Sequence, residues 1–197
     1  MSQDIAFEID QVEVRDGVLR VTYALTNGLD TPLYLFNMLP DSYGQLRKQP
    51  SETPTPALAQ TCLHPPDTMF MLMGATPTPN FGPGVMFYGP RQPLATRLDP
   101  AAGYSATLRA PLPLSEWTEY TGPHRPDPER APQPTAISTV TLAADFILGR
   151  DVDHEREDED YPGVFHVGGT TAHRIETSHD IASMGLVLMR NPEVVRF

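Results

Sequence analysis

The sequence predicts an all-β protein, a two-sheet antiparallel β-sandwich with long proline-rich loops. Short stretches alternate apolar and polar residues, turn residues separate these stretches, and proline accounts for 22 of the 197 residues. Of these prolines, 19 lie between Pro40 and Pro134. Because proline fixes φ and donates no backbone hydrogen bond, this region is expected to form loops around short strands, and a helical bundle is excluded.

The first strand is predicted from an apolar alternation between Ile5 and Val14. The alternation changes phase once, after Ile9, and a one-residue change of phase in a strand predicts a β-bulge. Asp16-Gly17 then predicts a turn into a second strand.

The second strand and its continuation form the clearest pattern in the chain. Four apolar side chains alternate with polar or small ones: Leu19, Val21, Tyr23 and Leu25. Asn27-Gly28 predicts a tight turn, and the apolar stretch Leu33–Leu39 predicts a return strand that is covered on both faces. We therefore expect a β-hairpin here, and an up-and-down meander of three strands over the first forty residues.

The spacing L-x-V-x-Y-x-L-x-N between Leu19 and Asn27, with a turn and a second apolar strand after it, resembles bacterial immunoglobulin-like accessory domains. The resemblance covers roughly a fifth of the chain and implies an immunoglobulin-like sandwich. It implies no activity, because a fold does not determine a function.

The rest of the chain continues the all-β pattern as one domain over residues 1–197. Further strands are expected at 68–73, 85–88, 94–98, 104–110, 136–148, 164–167, 173–176 and 181–189. Irregular proline-rich insertions are expected at about 41–67 and 111–135, with a shorter loop at 74–84. Such loops often carry the binding residues of a rigid scaffold.

Charge and cysteine content restrict the classes of partner. The formal net charge of -11 argues against nucleic acid and against an anionic membrane surface as binding partners, since binding to either requires clustered Lys and Arg.

Cys62 is the single cysteine, so no intrachain disulfide forms. The sequence shows neither an export signal nor an apolar run of membrane-spanning length, so we expect a cytoplasmic location.

An acidic run near the C-terminus is a candidate metal site. Residues 151–160 contain one basic residue, Arg156, and seven carboxylates: Asp151, Asp153, Glu155, Glu157, Asp158, Glu159 and Asp160. The spacing of Asp151, Asp153 and Glu155 suits oxygen ligands that converge on calcium. An EF-hand loop is excluded, because Arg156 and Pro162 stand where glycine and glutamate are required. The alternative is a solvated acidic loop.

Three histidines extend this candidate site, namely His166, His173 and His179. Imidazole and carboxylate together bind zinc. If one strand carried His173 and His179, both would share a face but lie roughly 20 Å apart, too far to bind one ion directly. The alternative is that they are surface or hydrogen-bonded histidines.

The sequence contains no recognisable catalytic motif. It lacks a G-x-S-x-G nucleophile elbow and a phosphate-binding glycine loop, and the neighbouring Cys62 and His64 do not constitute a catalytic pair. Met69, Met71 and Met73 alternate as copper-binding methionines do, but core packing explains them better. These absences favour a non-catalytic protein without a cofactor, and a protein that uses a divalent metal such as calcium or zinc is the alternative.

The leading hypothesis is a non-catalytic protein–protein interaction module that binds a protein partner or a second copy of itself. Four aromatic residues in the predicted loops are its candidate binding residues: Tyr43, Phe81, Trp117 and Tyr120. Packing beneath the loops is the alternative role for them. A related possibility is an assembly subunit that docks onto a neighbour through Ile181–Met189 and the tail Val194–Phe197. The rival hypothesis is a metal-dependent enzyme or metal-binding protein that uses the C-terminal carboxylates and histidines to hold a divalent metal such as calcium or zinc.

Overall fold

The computed structural model describes residues 5–38, 60–63, 67–73, 94–115, 133–159, 161–169 and 171–190. Within these ranges the chain forms strands and two short 3-10 turns but no α-helix, which confirms the all-β prediction. The strands are β1 (Ile5–Arg15), β2 (Val18–Asn27), β3 (Leu33–Met38), β4 (Gln60–Leu63), β5 (Thr68–Met73), β6 (Leu94–Leu98), β7 (Gly103–Pro111), β8 (Leu114–Ser115), β9 (Gln133–Ala136), β10 (Thr139–Leu148), β11 (Val152–Glu157), β12 (Val164–Gly169), β13 (His173–Asp180) and β14 (Val187–Arg190).

These strands form three sheets. The N-terminal sheet has the order β1-β2-β7 and is antiparallel throughout. The central sheet has the order β11-β12-β6-β3-β10-β5-β4, and β13 pairs with β10 as well. The C-terminal sheet has the order β8-β14-β9.

Strand β10 organises the central sheet, because three strands pair with it. Its first half, Thr139 to Ala144, pairs in parallel with β5, and its second half, Asp145 to Leu148, pairs antiparallel with β3. β13 pairs antiparallel with residues 139–146. Both faces of β10 are also covered, one by the main core and the other by a smaller cluster that contains Ile147, so seven of its ten residues are buried.

The N-terminal and central sheets share one hydrophobic core. From the N-terminal sheet it receives Leu19, Val21, Tyr23, Leu25 and Leu108, and from the central sheet Leu33, Leu35, Met69, Met71, Val140, Leu142 and Phe146, among others. Met69 and Met71 are therefore core residues, as the packing interpretation of the methionine pattern predicts.

The β1–β2 hairpin confirms two local predictions. Asp16 and Gly17 form its turn with φ of 54° and 72°, and the pairing register shifts between Ile9 and Gln11. The shift lets apolar side chains on both sides of the bulge face the core, as the change of phase in the sequence requires.

The predicted hairpin of β2 and β3 is wrong. β2 pairs with β1 and β7, whereas β3 pairs with β10 and β6 in the other sheet. The chain crosses between sheets after Asn27, whose buried side chain donates to the backbone oxygens of Thr31 and Leu98. A hairpin and a crossover have the same alternation and the same turn residues, so the sequence pattern does not distinguish them.

Other boundaries also differ from the predictions. The acidic run is not a loop, because residues 152–157 form β11. The apolar stretch Ile181–Met189 is not one strand: a 3-10 turn at Ala182–Met184 and a left-handed Gly185, with φ of 60°, precede β14. Parts of the predicted insertions also form strands, namely β4, β8 and β9.

Candidate functional site

The four aromatic binding candidates, Tyr43, Phe81, Trp117 and Tyr120, lie outside the described residues. Their role in binding stays a prediction. The same holds for most of the loops 41–67, 74–84 and 111–135 that carry them.

The metal candidates lie on four segments, a 3-10 turn and three strands of the central sheet. Asp151 ends the 3-10 turn Gly149–Asp151, while Asp153 and Glu155 follow on β11. His166 lies on β12, and His173 and His179 lie on the same face of β13. The strand thus keeps the last two histidines apart along one face, as the spacing predicts.

The structure distributes these residues over separate pairs. His166 Nε2 lies 2.8 Å from Asp158 Oδ2. His173 stacks on Phe146 with ring centroids 5.4 Å apart, and its Nε2 lies 3.7 Å from Asp151 Oδ2. Within the part of the chain that the structure describes, no three His, Cys, Asp or Glu side chains form a group that could hold a metal ion.

Glu155 belongs to a different arrangement, here called the Tyr34 cluster, which consists of Tyr34, Arg97, Asp99 and Glu155. Tyr34 Oη donates a hydrogen bond to Glu155 Oε2, and Arg97 Nη1 lies 3.6 Å from Glu155 Oε1. Arg97 Nε donates to Asp99 Oδ1 at 2.9 Å, and its guanidinium carbon lies 5.9 Å from the centroid of the Tyr34 ring. The cluster therefore joins β3, β6 and β11.

Burial and the bond to Glu155 raise the pKa of Tyr34 to about 12, with nearby Arg97 opposing the rise. The phenol is 3% exposed and stays protonated at neutral pH, so it donates a hydrogen bond and does not act as a base. Glu155 shares its two oxygens between Tyr34 and Arg97. These contacts make the cluster a structural connection between strands rather than a reactive centre.

The strands β11 and β12 form a hairpin, here called the acidic hairpin, that extends beyond the rest of the sheet. Five residue pairs join β11 to β12, but only Val164 and Phe165 of β12 pair with β6. Five of the six β11 residues are exposed. At the turn, Gly163 N donates to Glu157 Oε1 at 2.7 Å, and Asp158 binds His166 as described above. One face of the hairpin packs on the central sheet through Val152, Phe165 and Val167, whereas most side chains of β11 lie in solvent.

A second polar cluster involves Tyr23 of the N-terminal sheet and Asn37 and Thr96 of the central sheet. Thr96 Oγ1 donates to Asn37 Oδ1 at 2.9 Å. Tyr23 Oη and Asn37 Nδ2 are shielded from solvent and form no hydrogen bond of good geometry among the described residues, although Asn37 and Tyr104 lie close enough to the Tyr23 hydroxyl to influence its pKa. Burial raises the pKa of Tyr23 and of Tyr104, so both phenols stay protonated.

Sequence reasoning missed the Tyr34 cluster. Tyr34 stands in an apolar stretch, where the sequence pattern predicts only a covered strand. Its partner Glu155 is 121 positions away, and no local signal connects the two. A buried tyrosine usually has a hydrogen-bond partner, so a tyrosine in a strand predicted to be covered indicates that a polar partner lies nearby.

Comparison with protein-family models, with curated proteins and with solved structures found no match. Among the described residues, the structure contains no helix that is long and apolar enough to span a membrane.

Proposed function

We propose that the protein is a non-catalytic contact module, an immunoglobulin-like β-sandwich that binds a protein partner through the acidic hairpin. The observation that supports this proposal is the exposure of β11. It is the last strand of the central sheet within the described residues, and five of its six residues are exposed. A strand in this position presents backbone donors and acceptors as well as side chains to a partner.

The charge of this surface supports a basic partner. The run from Asp151 to Asp160 contains seven carboxylates and one arginine, and Asp153 and Glu159 on it are exposed. Opposite charges across an interface accelerate encounter and select the partner. A protein with a basic surface is therefore the expected partner.

The Tyr34 cluster contributes rigidity to this surface. Tyr34 is buried and bonds to Glu155 in the middle of β11, so the hairpin is attached to the core at its exposed strand. A surface that is already ordered loses less conformational entropy on binding than a mobile loop does. The attachment thus favours recognition by a preformed hairpin.

Affinity capture with charge-reversed bait tests the proposal. The bait is the purified chain, the source is lysate of its own cells, and the variant is Asp153→Lys with Glu159→Lys. The control is Glu8→Lys with Glu176→Lys, which makes the same change of charge at exposed strand positions outside the hairpin. We expect a stoichiometric partner that the hairpin variant loses, that the control keeps, and that elutes at raised salt. A partner retained equally by both variants, or no partner at all, would contradict the proposal.

A divalent-metal site is the alternative proposal, and one contact favours it. His173 Nε2 is shielded from solvent without a hydrogen-bond partner among the described residues, and it points toward Asp151 Oδ2 at 3.7 Å. Two such groups form part of a zinc site. Metal analysis of the purified chain, repeated with His173→Gln, tests this. Stoichiometric zinc that the variant loses would support the alternative, and substoichiometric metal in both would eliminate it.

A further inference from the structure

The outward face of the N-terminal sheet places two arginines side by side. Arg20 on β2 lies directly opposite Arg109 on β7 in the antiparallel register, and Glu13 on β1 lies on the other side of Arg20. Side chains directly opposite each other in such a pair have Cβ atoms about 5 Å apart. Arg20 is half-buried in the middle strand, and Arg109 is exposed.

Neither arginine is neutralised within the described part of the chain. The ion pairs there involve other groups, and Glu13, although in register with Arg20, instead accepts a hydrogen bond from Gln11 Nε2 at 3.4 Å. Arg20 Nε is shielded from solvent and has no hydrogen-bond partner there. Like charges directly opposite each other destabilise a strand pair, so the arrangement costs stability as it stands.

The next residue pair along the same face adds hydroxyl groups. Thr22 lies opposite Thr107, and their Oγ1 atoms are 2.9 Å apart. One hydroxyl hydrogen forms the bond between them, which leaves the other free to donate. Two guanidinium groups and a hydroxyl thus present hydrogen-bond donors on one small area of the sheet.

We propose that this arginine pair, Arg20 and Arg109, binds a tetrahedral oxyanion of the phosphate class, either free or as a phosphate monoester. A carboxylate has two oxygens and one negative charge, which one guanidinium satisfies in a bidentate contact. A phosphate has more oxygens and up to two charges, so it bonds to both guanidinium groups and cancels their repulsion. This inference is independent of the acidic hairpin, which belongs to another sheet.

The net charge of -11 does not prevent such binding. Charges in solution are screened beyond about 8 Å at physiological ionic strength, so the neighbouring groups decide the local potential. Glu13 contributes one negative charge beside the pair, and Arg15 and Asp16 at the end of the sheet offset each other at 3.6 Å. The two arginines and their in-register neighbour Glu13 together carry a charge of +1.

Amide NMR of the labelled full chain tests the site by titration with inorganic phosphate and, separately, with O-phosphoserine, at constant ionic strength. Acetate at the same ionic strength is the anion control. The variant Arg109→Gln removes one guanidinium from an exposed position, and Arg15→Gln removes one charge from the same sheet face outside the pair. Thermal unfolding without phosphate is measured for all three proteins.

We expect saturable shifts at the Thr22 and Thr107 amides with phosphate, about tenfold weaker binding in Arg109→Gln, and less than about twofold change in Arg15→Gln. Arg109→Gln should unfold at the same or a higher temperature in phosphate-free buffer, because the repulsion is removed. Binding of both phosphate compounds identifies the phosphate group itself as the ligand, and binding of inorganic phosphate alone restricts the site to the free ion. Unsaturable shifts, equal shifts with acetate, or equal affinity in Arg109→Gln would overturn the proposal.

Discussion

The side-chain nitrogen of Asn27 lies 3.0 Å from the backbone oxygen of Leu98 and donates a hydrogen bond to it across 71 positions of sequence. The same nitrogen also lies within hydrogen-bonding distance of the backbone oxygens of Thr31 and Asp99, and Asn27 Oδ1 accepts from Leu29 N at 3.1 Å. Asn27 is fully buried. One amide therefore fixes both the crossover from β2 to β3 and the turn after β6.

Replacing Asn27 by alanine should lower the free energy of unfolding by about 2–4 kcal/mol, because several buried backbone groups lose their partner together. Urea denaturation measures this, with Thr26→Ala at the exposed neighbouring position as the control. A loss below about 1 kcal/mol would show that water or a local rearrangement replaces these bonds.

Stability should fall at alkaline pH in a way that depends on Tyr34. The folded state holds the phenol proton up to a pKa of about 12, whereas the unfolded chain releases it near the usual value of 10. The contribution is thus fully present below pH 10 and is lost as the pH rises to 12, by about 2–3 kcal/mol.

The variant Tyr34→Phe lacks this titration. Its stability deficit relative to the wild type at neutral pH, about 1 kcal/mol from the lost bond to Glu155, should disappear between pH 10 and 12 and change sign, because the wild type alone loses about 2–3 kcal/mol over that range. Urea denaturation across this range measures both proteins, and absorbance of tyrosinate near 295 nm follows the ionisation itself. A deficit that stays constant with pH would show that the phenol titrates alike in both states.

Removing the hydroxyl of Tyr23 should cost little stability, in contrast to removing that of Tyr34. Its hydroxyl is shielded and forms no hydrogen bond of good geometry among the described residues, so Tyr23→Phe removes a polar group that gains little from its site. The free energy of unfolding should change by less than about 0.5 kcal/mol or increase. A loss above about 1 kcal/mol in urea denaturation would indicate a direct or water-mediated bond between Tyr23 and Asn37.

Two adjacent glycines in β12 should differ in their tolerance of alanine. A Cβ at Gly169 would overlap the backbone oxygen of Asp151, whereas a Cβ at Gly168 would overlap the ring of His154. The exposed His154 ring can rotate away, but backbone cannot. We expect Gly169→Ala to destabilise by about 2 kcal/mol or more and Gly168→Ala by less than about 1 kcal/mol, by thermal or urea unfolding. Equal losses would show that the hairpin backbone shifts freely.

Local pattern was sufficient to predict the strands and the bulge of β1, because both follow from which side chains face the core. It was insufficient to predict partners: the β2–β3 interpretation failed although each strand was placed well. Pairing depends on contacts between distant residues, such as Val21 with Leu108 or Phe36 with Asp145. The alternation of apolar and polar residues predicts which face of a strand is buried, but it does not predict which strand pairs with it along each edge.

The candidate site shows the same limit. The sequence composition reveals the acidic run, but it does not reveal that Tyr34 holds this run through Glu155, since the two residues come together only in the folded sheet. The arginine pair was also invisible, because Arg20 and Arg109 become neighbours only when β2 pairs with β7.

The position of β10 has a consequence for synthesis on the ribosome. The β1–β2 hairpin is complete at Asn27, but the core cluster that buries its apolar side chains also needs β10, which ends at Leu148, 121 residues later. At translation rates of about 5–20 residues per second, the hairpin waits roughly 6–24 s before β10 is synthesised. During that interval Leu19, Val21 and Leu25, all buried in the finished protein, face solvent or a chaperone. The nascent chain is therefore most vulnerable to aggregation before residue 148 emerges, and slowing translation between β3 and β10 should lower its soluble yield.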